Sequence, residues 1–323
     1  MLDFVSKRYW YIAFSALILI PGIISLLIPP GLKPGIEFTS GSLINIQFQE
    51  EVTESQLRTT LRDLSYEDVI IQKTSDGSFL IRTPVLQDQR DQSGVPLGDS
   101  ERRRLENGLR EAFGPFEVLS FDSVSPIVAG EIVRNAALAV VAASVAILLF
   151  IWWAFRQVPN SLRFGTCAIV ALVHDTLVVL GMFSIFGKVF GTEIDSLFIT
   201  ATLTVIGFSV HDTIVVFDRI RENVQRNPNR DYATNINNSL IQTSGRSIAT
   251  NLTLLFTSVA LLLFGGVTIK TFVLALTIGV SAGTYSSIFI APQLLVIWEY
   301  GELGRIFGGL FGGRKAAPAG ERS

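Results

Sequence analysis

The chain has 323 residues, 49% of them hydrophobic and 17% charged, with a formal net charge of −2. So little charge, unevenly spread, excludes a single soluble globule and points to a polytopic membrane protein with one water-facing domain. The net charge therefore describes no surface, and one cysteine, Cys167, excludes a disulfide framework and a cysteine metal site.

Lys7 and Arg8 precede an apolar run from about Tyr9 to Pro30. The run is too long for the apolar core of a cleaved signal, and the Pro-rich stretch after it offers no small-x-small cleavage site. Residues 1–30 thus read as a cytoplasmic N-terminus and a retained first transmembrane helix. Tyr9, Trp10 and Tyr11 anchor it at the interface, and Pro21 is placed to kink it.

Between residues 31 and 133 no run is long enough to span a bilayer. Leu43–Phe48 alternates as a strand, and Thr53 with Gln56 forms a capping box ahead of Leu57, Leu61 and Leu64 at helical spacing. Val69–Gln72 and Phe79–Arg82 are strands joined by a Ser-Asp-Gly turn. Ser100–Phe113 is a second helix with Leu105, Leu109, Ala112 and Phe113 on one face, and Phe116–Phe121 a last strand. The order βαββαβ is that of an α+β, ferredoxin-like domain. Gln87–Gly98, polar and glycine-containing, reads as a flexible loop. The stretch carries 17 acidic and 10 basic residues, which suits solvent and offers no nucleic-acid patch.

A five-helix transmembrane bundle is expected over 134–300, at about Asn135–Phe155, Phe164–Phe186, Ser196–Phe217, Ser247–Phe264 and Thr271–Trp298. With the first helix this makes six spans. One set of short loops holds Lys7, Arg8, Arg156, Arg163, Arg219, Arg221, Arg226, Arg230, Arg305, Arg314 and Lys315; the other holds only Lys188 and Lys270. Basic residues stay in the cytoplasm, so both termini are expected there and residues 31–133 outside. A cytoplasmic amphipathic segment, 218–245, includes a helix capped by Asp231 with Tyr232, Ile236 and Leu240 on one face, expected to lie along the membrane surface. Residues 301–323 read as a disordered cytoplasmic tail.

Both histidines occur in one repeated pattern, Val173-His-Asp-Thr-Leu-Val-Val179 and Val210-His-Asp-Thr-Ile-Val-Val216. Ionisable residues inside spans are costly, so His174, Asp175, His211 and Asp212 should point into the bundle and mark an ion path; the alternative is a pair that only bonds neighbouring helices. The two aspartates sit about 16 Å and about 9 Å from the cytoplasmic helix ends, a stagger suited to a relay. Arg246 opens the fifth span, with Thr250, Thr253 and Thr257 continuing its face. This stripe would line a wet path or hold Asp212, unless Arg246 is an ordinary basic residue at a helix start. A carboxylate that leaves its arginine takes up a proton, which makes a two-state switch. Ala275, Gly279, Gly283 and Ser287 recur every four positions and suit close helix packing. No protease Gly-x-Gly-Asp signature, His-Glu-x-x-His, nucleophile elbow or phosphate loop occurs, so neither enzymatic activity nor a metal or cofactor is expected.

Gly35-Ile-Glu-Phe-Thr-Ser-Gly41 resembles the Gly-Ile-Asp-Phe-Thr-Gly-Gly motif of the SecF family of protein-export membrane proteins. Val210–Asn223 is similar to that family's most distinctive segment, and Ser244–Thr253 to its next helix. The resemblance, which covers nearly the whole chain, departs at Glu37 (Asp in the motif) and Ser40 (Gly in the motif). It implies motif-loop roles for Gly35, Glu37, Thr39 and Gly41. It also implies a subunit that partners SecD beside the SecYEG translocon, with SecA and YajC, acts on translocating unfolded preproteins, and uses the proton or sodium gradient late in export. The family's coupling aspartate and arginine fall on Asp212 and Arg246, and Asp175 matches a second polar position. Six spans look like half of a twelve-span resistance-nodulation-division transporter, which predicts a partner half. The alternatives are a small-molecule exporter half, disfavoured by the small outside domain, and a non-catalytic translocon scaffold.

Overall fold

The computed structural model describes residues 3–66, 69–74, 77–86, 100–156, 161–266 and 269–302, the side chain of Phe155 excepted. The expected loop Gln87–Gly98, part of the Ser-Asp-Gly turn and nearly all of the 301–323 tail lie outside the described residues. Two compact units emerge. One comprises the chain up to Ile28, Ala143–Met182 and Thr200 onward; the other comprises Pro29–Ala142 and Phe183–Ile199.

The second unit holds a four-stranded antiparallel sheet of β1 (Gly41–Phe48), β2 (Ile70–Lys73), β3 (Phe79–Thr83) and β4 (Phe116–Val124), in the order β2-β3-β1-β4. Helix α1 (Arg8–Leu27) belongs to the other unit; α2 (Ile36–Thr39) is a single turn leading into β1. With α3 (Glu54–Asp63) and α4 (Glu101–Phe113) the order is the predicted βαββαβ. Strand alternation sends Ile44, Ile46, Ile71, Phe79 and Ile81 to one face, where Leu57 and Leu61 of α3 and Leu105 and Leu109 of α4 complete a core. The capping box at Thr53 and Gln56 forms, and Ser100 caps α4.

Helices α5 (Pro126–Phe155), α6 (Ser161–Val189), α7 (Ser196–Arg226), α8 (Tyr232–Phe264), α9 (Lys270–Phe289) and α10 (Ala291–Glu299) follow. Among the described residues six stretches are long and apolar enough to cross a membrane: α1, α5, α6, α7, α8 and α9 with α10. Beside α7, which runs nine residues past the expected Phe217 to Arg226, three depart from expectation. First, α5 begins nine residues early, because Pro126 suits a helix start and nothing breaks the chain after it. Second, the surface helix expected from Asp231 is instead the first third of α8, which runs unbroken into the fifth span. Asp231 does cap it, accepting from the Thr234 amide at 3.1 Å. Gly245 alone costs about 1 kcal/mol, too little to end a helix whose Ile236 and Leu240 are buried against Phe217 and Ile220. Third, the last span breaks at Ile290, because Pro292 lacks an amide to donate to residue 288.

Close packing explains the small residues. A Cβ added to Gly279 would meet Val205 at 2.2 Å, and one on Gly283 would meet Ser209 at 3.2 Å. The stripe therefore seats α9 on α7. A second close crossing lies between α1 and α6, where a Cβ on Gly181 would come within 2.7 Å of the Gly22 backbone.

Candidate functional site

Asp175 on α6 is fully buried. Its carboxylate accepts from Ser209 Oγ of α7 at 2.5 Å and from Ser286 Oγ of α9 at 2.6 Å. The neighbouring His174 places Nδ1 at 2.8 Å from the other oxygen, and its Nε2 lies 2.6 Å from Ser15 Oγ of α1. With Nδ1 donating to the carboxylate, Nε2 is left to accept the Ser15 hydroxyl proton. Four helices are thus tied through one buried acid whose lone pairs are well supplied.

Asp212 differs. It lies on α7 one turn beyond Ser209, about 4.5 Å further along the axis. It is only half-buried, and its Oδ2 accepts from Asn251 Nδ2 of α8 at 2.5 Å. That bond is one rung of a ladder between antiparallel α7 and α8. Arg219 Nε donates to Gln242 at 2.6 Å, and Asn223 Nδ2 donates to Ser239 at 2.8 Å and Gln242 at 2.9 Å. Asp212 thus has one side-chain donor and partial access to its surroundings, where Asp175 has three donors and none.

The structure does not bring Arg246 to Asp212. Arg246, Thr250, Thr253 and Thr257 share an exposed face of α8, and among the described residues Arg246 has no ion-pair partner. The three threonine hydroxyls donate to carbonyls one turn back, at 3.0 Å each, so none needs another partner. His211 is likewise exposed. The polar stripe most visible in the sequence of α8 does not include Asn251, the residue that does reach Asp212. A second stripe, Ser247, Asn251 and Ser258, is buried, and its spacing of four and seven residues was the available signal. Among the described residues no three of His, Cys, Asp and Glu gather as a metal site would need.

The motif loop forms a second polar centre, in the sheet-bearing unit. Glu37 Oε2 accepts from the Ser196 amide at 2.7 Å, Thr39 Oγ1 donates to the Gly35 carbonyl at 3.0 Å, and Arg82 of β3 donates to Thr39 Oγ1. Gly41 has φ 130°, and a Cβ there would meet the Thr83 carbonyl at 2.8 Å, so only glycine fits. Asp195 accepts from the Phe198 amide at 2.8 Å; burial pushes its carboxyl above the usual range, against that bond, and the Glu37 charge adds to the rise.

Comparison with known proteins places this arrangement. Residues 104–301 match the family model described as protein export membrane protein SecD/SecF, C-terminal. The chain is 47% identical to the protein translocase subunit SecF of Thermobaculum terrenum, over 95% of this chain and 97% of that one. The chain belongs to the SecD/SecF family. SecF of Anaerolinea thermophila is 41% identical over 94% of this chain and 96% of its own. Among solved structures, SecDF of Thermus thermophilus superposes with a TM-score of 0.77 at 32% identity, covering 93% of this chain. The chain spans 39% of that protein and 38% of the Bacillus subtilis SecDF sequence, to which it is 34% identical. SecD/SecF membership makes this a multi-pass membrane protein, in agreement with its six apolar helices.

Proposed function

We propose that the chain acts as the SecF-type subunit of a Sec translocase, paired with a SecD-type half. In this reading it uses the proton or sodium gradient to promote late export of unfolded preproteins through SecYEG, alongside SecA and YajC. It lies in the cytoplasmic membrane with both termini inside and residues 31–133 outside, as the distribution of basic loop residues favours. The observation that carries the reading is the state of Asp212. This half-buried acid is held to α8 by one amide, and the charged or polar residues exposed on α7 and α8 include His211 and Arg246. Neither residue suits lipid, so their exposure fits cover by a second half, and the SecDF relatives carry a further segment of more than half their length.

The mechanism follows from the ladder. An ionised Asp212 draws the Asn251 amide and keeps α7 and α8 in register, with Arg246 available as a counter-charge once a partner half narrows the space. Protonation weakens that bond, and α7 is then able to shift against α8. Asp175, enclosed by three donors, keeps α6, α7 and α9 together while Asp212 titrates.

Export of a model precursor into vesicles holding the translocon, SecD and this chain tests the reading, with Asp212→Asn against wild type and with or without a gradient. The variant should assemble and lose the gradient-dependent gain by about fivefold or more. A variant that keeps the full gain would leave a scaffold role instead.

A further inference from the structure

The connection between α6 and α7 is fastened at four points to the sheet and to the segment that leads into it, more than joining two helices requires. The Gly35 amide donates to the Ile194 carbonyl and the Ile194 amide to the Lys33 carbonyl, each at 2.8 Å, on either side of a parallel bridge between Pro34 and Ile194. Gln72 Nε2 of β2 donates to the Phe190 carbonyl at 2.8 Å. Glu193 Oε1 lies 3.2 Å from Arg82 Nη1 of β3 and 3.5 Å from Lys33 Nζ. Glu37, in the motif loop that leads into β1, accepts from the amide of Ser196, the first residue of α7. The Arg82 and Glu193 side chains are 15% and 25% exposed, shielded enough for the pair to outweigh an ordinary surface bridge.

From that anchorage α7 runs without a break to Asp212, sixteen residues and about 24 Å along the axis. An unbroken α-helix does not shorten, and a displacement at one end is carried to the other. The start of α7 has its first amides satisfied by Glu37 and Asp195, so it is also protected from fraying.

We propose that Glu37, Arg82 and Glu193 are positioning residues for transport: they clamp the start of α7 to the sheet, so that a shift of α7 initiated at Asp212 moves the sheet. The proposal rests on Asp212 being the coupling residue. It gives the motif loop a mechanical role and explains why an acid is needed at position 37, where its acceptor meets a helix N-terminus.

The test uses the full chain with SecD and the translocon in vesicles. The variants are Arg82→Glu, Glu193→Arg, their double charge swap, Glu37→Ala and Glu37→Asp, with Asp212→Asn in parallel. Each carries a nitroxide label at Glu117, on the exposed side of β4. The single charge reversals and Glu37→Ala should cut the gradient-dependent gain in export by about fivefold or more. The label's spectrum should stop responding to the gradient, although the chain still co-purifies with SecD. The charge swap and Glu37→Asp should recover both signals. Clamp variants that keep the gain while Asp212→Asn loses it would overturn the clamp alone. An Asp212→Asn chain that keeps the gain would overturn the coupling reading, and the clamp with it. Singles that lose assembly together with export, with a swap that rescues neither, would reduce these contacts to folding and also overturn the proposal.

Discussion

Ser40 has φ 62° and ψ 167°, a region that side chains rarely enter and glycine enters freely. It sits between the one-turn α2 and Gly41, and the related motif carries glycine at this position. Ser40→Gly should therefore stabilise the sheet-bearing unit by about 1 kcal/mol, read as a rise in its thermal midpoint. Asp231 offers a pH test. The Tyr300 hydroxyl, bonded at 2.7 Å, and the Thr234 amide hold its carboxyl below the usual 3.8. A carboxyl lowered by folding contributes its full stabilisation above its unfolded value, and loses it as pH falls through the lower folded value. Amide exchange in the first turn of α8 should thus be protected at neutral pH and speed up, beyond the intrinsic pH effect, as acid enters that window; Asp231→Asn should abolish the dependence. Both residues were legible in part. The cap at Asp231 is a local pattern of side chain and following helix, whereas the backbone angle at Ser40 depends on how Gly41 meets Thr83 across the sheet.

Beside apolar packing, the helices of this chain meet through small-residue crossings and polar ties. The Gly22–Gly181 crossing leaves no room for a methyl group. Gly181→Val should separate α1 from α6 at a cost of about 1–3 kcal/mol for overpacking, observed as a lower unfolding midpoint in detergent. Loss of that crossing should also strain the Ser15–His174 bond, which joins the same two helices. The small-residue stripe of α9 was visible as a period of four, but its partner was not: only the packed bundle shows that Gly279 faces Val205. The same holds for the polar ties. Repeated His-Asp pairs stand out in an apolar helix, yet the donors to Asp175 are two scattered serines and a histidine from three helices, with Ser15 of a fourth behind the histidine. Such residues are common in membrane helices, and no spacing within one helix reveals a contact with another.

At the scale of the molecule, an exposed polar face at the middle of an apolar helix is the feature that the isolated chain leaves open. Thr257→Trp should leave the chain folded, since Thr257 is exposed and bonds only within α8, but should hinder association with a SecD-type half. Co-purification with SecD at several detergent concentrations would show this; undiminished recovery would move the interface to another face. The rest of the molecule accords with a subunit that works beside another: a compact sheet with its own core, a helix bundle with its own core, and a long helix, α7, carrying residues of both units.

The sequence was enough for the six apolar helices, the βαββαβ order and the family, because hydrophobic period, capping and contiguous motifs are local properties of a chain. It also marked Asp175 and Asp212 as unusual, because a charge inside an apolar run is costly wherever the helix ends up. It did not determine their partners. Five residues separate Arg246 from Asn251, about 140° around a helix, so the two project on different faces of α8. Which face meets α7 is decided by burial of Ile236 and Leu240 far from the site. The joining of the motif loop to the start of α7 was equally out of reach, since it unites residues about 160 positions apart through one carboxylate and one backbone amide. Contacts of that kind exist only once the tertiary structure has brought the two stretches together.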